Sequence, residues 1–127
     1  MSRNLVKSEQ FPKVPKQILI NDRVSMNFGI QVSDTGVTAV NGRKIVKAGT
    51  PMTGDLVTRA TAFTKATGAD AKGILLHDVD VTEGPWNGVL ITLGAVDLLK
   101  LDADVVALLT AAVKTALPAI TFTEGRL

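Results

Sequence analysis

Residues 73 to 81, GILLHDVDV, gather the groups best suited to chemistry: His77, the chain's one histidine, then Asp78 and Asp80, with Glu83 two residues beyond the stretch. An imidazole among carboxylates suits a divalent-metal site or an acid-base pair, provided the side chains converge. Whether they converge depends on the backbone. Val79, Val81 and the leading Gly-Ile-Leu run read as one strand over 73–81, in which Leu75, His77, Val79 and Val81 share one face while Ile74, Leu76, Asp78 and Asp80 share the other. The expectation is that His77 is parted from both aspartates. Asp78 and Asp80, with Glu83 added from the turn, make at most a weak hard-cation site. Two carboxylates at the solvated end of a strand that begins buried is the favoured reading. No metal ligand, cofactor site or catalytic residue is assigned, and His77 is read as a packed or interface histidine.

The rest of the chain supplies no partner for enzymatic chemistry. There is no cysteine, which removes disulfides, thiolate nucleophiles and finger-type zinc sites, and no serine stands in a nucleophile-elbow context. GRKIVKAGT lacks the glycine spacing and the following helix of a phosphate loop. Arg43, Lys44 and Lys47 have no interleaved aromatics and tyrosine is absent, so they read as a solvated hairpin face and not as a nucleic-acid footprint. The net charge of +2 agrees. No small-molecule substrate is expected. Trp86, the single tryptophan, lies in the turn TEGPWNG. A lone indole between proline and glycine is either a plug closing a barrel end or an exposed contact anchor, and contact is preferred.

The elements that must position these residues come from a chain of 127 residues, enough for one domain with a real core. Aromatics are only 4% of it, so valine, leucine, isoleucine and alanine must build that core. No apolar run reaches the length of a membrane span or forms a signal-peptide core, and a soluble protein made in the cytoplasm is expected. The first seventeen residues, MSRNLVKSEQFPKVPKQ, hold Arg3, Lys7, Lys13 and Lys16 against one acid, Glu9, while Pro12 and Pro15 oppose a helix. They read as a flexible arm ahead of a single β-rich domain over 18–127. The arm is either an unstructured tail or a short extended segment, with Phe11 and Val14 as apolar contacts, that orders on a partner.

From Ile18 the pattern is β-like: ILI, MNFGIQV, TAV and KIV are separated by Asn21-Asp22, Asp34-Thr35-Gly36 and Asn41-Gly42. Asn41-Gly42 tolerates the two positive φ angles of a type I′ turn and predicts a hairpin between 37–40 and 43–47. KAGTPMTGDLV predicts a turn and a short strand near Leu56, and residues 59–72 a loop or frayed helical turn anchored by Phe63. GVLITLGAVDLLKL predicts a strand or strand pair bulged at Gly94. One helix is predicted over DADVVALLTAAVKTALP, capped by Asp102 or Asp104, ended by Pro118, and apolar at Val105, Leu108, Leu109, Ala112, Val113 and Ala116. It either packs at a subunit interface, through Leu109 and Val113, or caps the barrel. AITFTEGRL predicts a last half-buried strand. The fold expected is mainly β (α+β), a small barrel or sandwich-like domain with one late helix.

The order AGTPMTGDL, a variable loop, AKGILLHDVDVTEG, GVLITLGAVDLLKL, a helix and a final LPAITF resembles the head decoration and head-fibre proteins of tailed bacteriophages, including the lambda-type decoration protein, over roughly residues 36 to 123. The resemblance implies a non-enzymatic virion protein: a homotrimer on local threefold positions of the capsid exterior whose N-terminal segment reaches the major capsid protein. On that expectation Arg3, Lys7, Phe11, Lys13, Val14 and Lys16 contact the shell, and Leu90, Ile91 and Leu93 form the core or subunit interface. His77, Trp86, Leu109 and Val113 are interface or surface contacts. The chain departs from the pattern in its basic, proline-containing N-terminus and its apolar helix. The rival reading is a head-fibre-type domain that binds carbohydrate or a host surface, with Trp86 as a stacking anchor. A metal enzyme using His77, Asp78 and Asp80 comes last, and predicts convergent ligands.

Overall fold

The computed structural model describes residues 17–21 and 23–125, and the predicted arm contacts Arg3, Lys7, Phe11, Lys13, Val14 and Lys16 lie outside them. The chain is mainly β. In order, β1 (Met26–Val32), β2 (Ile45–Val46), β3 (Pro51–Thr53), β4 (Thr64–Lys65), β5 (Gly73–Leu75), β6 (Val79–Asp80) and β7 (Trp86–Asp97) precede two helices, α1 (Ala103–Leu108) and α2 (Ala111–Ala116), and the strand β8 (Ile120–Thr123). A 3-10 turn over Leu98–Lys100 joins β7 to α1.

The twelve-residue β7 is the spine. β-branched and leucine residues fill the middle of WNGVLITLGAVD, a composition that packs well on a pleated surface with neighbours on either side. β1 runs antiparallel to it from Met26 opposite Leu93 to Val32 opposite Trp86, β5 pairs antiparallel at Ile91 and Leu90, and β8 pairs parallel from Gly94 to Asp97. Beyond β5 the sheet continues through β3 to β4. Phe63, just before β4, bridges back to Val32 of β1, with Phe63 N donating to Gln31 O at 2.7 Å and Ser33 N to Phe63 O at 2.8 Å. The last strand thereby returns to the first at one point, as in a small barrel. β2 and β6 form a separate two-stranded sheet.

Two apolar clusters share this spine, and strand alternation assigns residues to them. Ile74 and Ile91 face one cluster with Ile18, Val96, Val105, Leu109, Val113 and Ile120. Their sequence neighbours Leu75 and Leu90 face the other, with Val32, Met52, Phe63, Val79 and Val81. This two-sided burial is why Gly73–Leu75 is an unbroken apolar run. Each fully buried leucine or isoleucine contributes roughly 1.5–3 kcal/mol relative to exposure.

Several expectations change. The stretch 73–81 is not one strand: it bends at Leu76 and His77 and splits into β5 and β6, which belong to different sheets. Asp78 supplies the reason, because its Oδ1 accepts the Ala48 N–H at 2.7 Å and turns the chain toward the 47–50 turn. The strand placed near Leu56 lies three residues earlier, at Pro51–Thr53, while Leu56 sits in a turn held by Asp55, whose Oδ1 accepts Val57 N at 2.9 Å. Within 59–72, Thr64–Lys65 is a strand.

The single late helix is two. Thr110 interrupts it by capping α2, its hydroxyl accepting Val113 N at 3.4 Å, so the backbone leaves helical geometry at Leu109. The buried stripe is Val105, Leu109, Val113 and Leu117, while Leu108 is exposed. Leu109 and Val113, expected as interface or surface contacts, are only 5% and 1% exposed and belong to the buried cluster that holds Ile18 and Ile120. The helices cap the body's own core. The Asn41-Gly42 hairpin is present, with φ of 54° and 78° and mutual Val40–Arg43 backbone bonds of 2.7 and 3.1 Å, although pairing extends no further than that bridge.

Candidate functional site

The first residues of β7 and the turn before it wall an open groove of about 890 Å³. Its walls hold His77, Asp78, Asp80, Glu83, Trp86 and Asn87, with Arg43 reaching in from the hairpin. Alternation holds for Leu75, Val79 and Val81, which face one cluster, but His77 and Asp78 lie in the bend outside both strands, and the imidazole and both aspartates border the same groove.

Their chemical availability differs. Asp80 is occupied: Oδ1 accepts Thr82 N at 2.9 Å and the Thr82 hydroxyl, and Oδ2 pairs with Arg43 Nη1 at 3.1 Å. The Thr82 hydroxyl in turn accepts Lys44 N at 2.9 Å, which ties the hairpin to the turn. The two Thr82 bonds, with the smaller contribution of the Arg43 charge, hold the Asp80 carboxyl below the usual carboxylate value of 3.8. Asp78 spends one oxygen on the Ala48 amide. His77, Glu83 and Asn87 make no side-chain hydrogen bond or ion pair among the described residues. These three are the uncommitted polar groups of the groove.

No group of three histidine, aspartate or glutamate side chains gathers where it could hold a metal ion among the described residues. The metal reading called for convergence, and the two aspartates instead organise backbone. Trp86 is not a barrel plug, since the residue is 62% exposed beside the turn at 82–85, where Gly84 adopts φ of +119°. Gly88 lets β7 pass close to the body here, because a Cβ would lie 2.8 Å from Val32 and 3.1 Å from Val79.

Sequence reasoning singled out His77 and Trp86, and both stand at this groove. It passed over Asn87 and read Arg43 as part of a solvated hairpin face, without its place at the groove. Asn87 was legible in principle as the amide next to Trp86 in TEGPWNG; Arg43 was not, because its approach to Asp80 spans 37 positions of sequence.

The opposite end of β7 is built differently. Residues 18–20 pair antiparallel with it, Ile20 N donating to Ala95 O at 3.0 Å and Asp97 N to Ile18 O at 2.9 Å, so the chain ahead of Gln17 departs from the Asp97 end. β8 pairs parallel with β7 and ends with Thr123 opposite Asp97, and Gly125 N donates to Asp97 Oδ1 at 2.8 Å. Both ends of the described chain thus emerge at one pole. Trp86 is eleven residues away along the strand, about 36 Å at ~3.3 Å per residue. Near the Asp97 pole, Ile20, Val24, Met26 and Leu93 are exposed, Met26 lying opposite Leu93 in the register. Leu90 and Ile91, grouped with Leu93 as core or interface, are fully buried.

No protein-family model matches the chain, and no curated protein matches it.

Proposed function

We propose that the protein is a non-enzymatic virion component that binds the outside of a phage capsid as an oligomer and decorates or stabilises the head. The observation that carries this reading is the polarity of the body. The basic segment with Arg3, Lys7, Lys13 and Lys16 joins at the Asp97 pole, where Ile18 and Leu19 are buried and fix its point of departure. A decoration protein needs such an anchored arm on a rigid β body, and it needs an apolar surface for its own copies. Ile20, Val24, Met26 and Leu93 offer that surface beside the arm's origin. Three arms engaging one lattice position would bind far more tightly than one. The order of motifs resembling head decoration proteins supports the same reading.

The test is co-sedimentation of the full chain with expanded capsids. Wild-type protein is expected in the pellet, and a variant lacking residues 1–17 in the supernatant. Undiminished binding by the truncated chain would overturn the arm's role, and a monomer by light scattering at high concentration would overturn the oligomer.

A further inference from the structure

We infer that the groove around Trp86 is a binding site for a neutral oligosaccharide. An exposed indole face is flat, apolar and slightly electronegative, and it fits the C–H face of a pyranose ring. Around it stand Glu83, an acceptor; Asn87, a donor and acceptor; and His77, which can serve as either. All three lack side-chain partners among the described residues. Sugar hydroxyls donate and accept at once, so this mixed, unspent set beside a stacking platform matches their chemistry. A volume of about 890 Å³ falls in the usual range of ligand clefts, ~300–1,000 Å³.

The geometry is prepared before any ligand arrives. Asp80, Thr82, Arg43 and Lys44 are bonded to one another and hold the turn that carries Glu83 and leads into Trp86, so little ordering is left to binding. Charge narrows the ligand class. Asp78, Asp80 and Glu83 face the groove against the single guanidinium of Arg43, itself paired with Asp80, and this disfavours sulfated or phosphorylated glycans and nucleic acid. The proline-containing segment FPKVPK has the opposite charge, but it cannot fill its own groove. Gln17 lies at the far pole, and six residues even fully extended span at most about 22 Å of the ~36 Å needed.

The inference stands apart from capsid binding, which the arm would serve at the other pole, so either can fail alone. Trp86 is the only tryptophan, and its fluorescence reports this groove without labels. The full chain would be titrated into the millimolar range with maltotriose, chitotriose, mannotriose, a heparin trisaccharide and the peptide QFPKVPK. A saturable emission change is expected with at least one neutral trisaccharide, weakened roughly tenfold in Asn87→Ala and in Glu83→Gln. Calorimetry on Trp86→Ala, its fold checked by circular dichroism, is expected to show no binding. No saturable change with any neutral trisaccharide would overturn the inference, as would wild-type affinity in both Asn87→Ala and Glu83→Gln. A response to heparin alone would overturn the charge argument and with it the ligand class. A response to the peptide alone would assign the groove to the N-terminal segment of a second copy.

Discussion

The carboxylate of Asp78 accepts the amide of Ala48 at 2.7 Å, joining the bend before β6 to the turn after β2 across thirty positions of sequence. The bond converts a residue that looks like a metal ligand into a backbone fastener. Its acceptor serves a donor in a residue that is itself buried.

Removing that acceptor should be costly in proportion. Asp78→Ala is expected to destabilise the fold by about 1–3 kcal/mol, because the Ala48 amide is left without a partner, while Asp78→Asn keeps an acceptor and should stay within about 1 kcal/mol of wild type. Urea denaturation of the two variants checks this, and equal losses would mean that charge and not the bond matters.

Asp80 gives the chain a predictable acid response. Its folded pKa lies below the ordinary value of 3.8 because of Thr82 first and Arg43 last, so its contribution is present above that value and is lost as pH falls through the folded pKa. Asp80→Asn should therefore be less stable than wild type at neutral pH, and the difference should shrink below about pH 4. Melting temperatures across an acid series test it; a gap that persisted at the lowest pH would contradict the assignment.

Leu109 separates the core reading from the interface reading of the helices. It is 5% exposed within a single chain. Leu109→Ala is expected to cost about 2–5 kcal/mol of folding stability with no concentration dependence. A variant that folded normally but lost self-association would restore the interface role.

Gly73 is fixed by proximity to backbone. A Cβ there would meet the Ile91 carbonyl oxygen at 2.5 Å and Leu90 Cγ at 2.8 Å, so Gly73→Ala must push β5 away from β7. A loss of about 1–3 kcal/mol in chemical denaturation is expected. A neutral result would show that β5 can shift without penalty.

What could be read in advance followed from local rules. The Asn41-Gly42 turn, the stop at Pro118 and the half-buried Ile120–Thr123 all rest on one or two residues and their neighbours, whereas the bulge expected at Gly94 lies at Thr92, where Met26 faces Leu93 and Asn27 faces Ile91. Phe63 was visible as an anchor, and it is among the largest fully buried side chains. What escaped depends on distant partners. The break at His77 is made by Ala48, the interruption of the helix by a threonine that periodicity alone treats as neutral, and the site of Lys47 by two aspartates. Lys47, read as part of a solvated face, pairs with Asp102 and Asp104 at 3.1 Å each, and these bonds raise its pKa. For the groove, His77, Asp78, Asp80, Glu83 and Trp86 all stood out in the sequence, but that they border one groove did not, since His77 and Asp78 leave the strand in the bend between β5 and β6.

The flanking of the Asp97 end of β7 by residues 18–20 on one side and β8 on the other has a mechanical meaning. Tension applied between the two termini enters at the same end of the spine, where it would unzip backbone bonds one after another instead of shearing them together. A chain hauled by its ends should yield at low force, whereas a load carried from the body into a single terminus would leave β8 seated and meet far greater resistance.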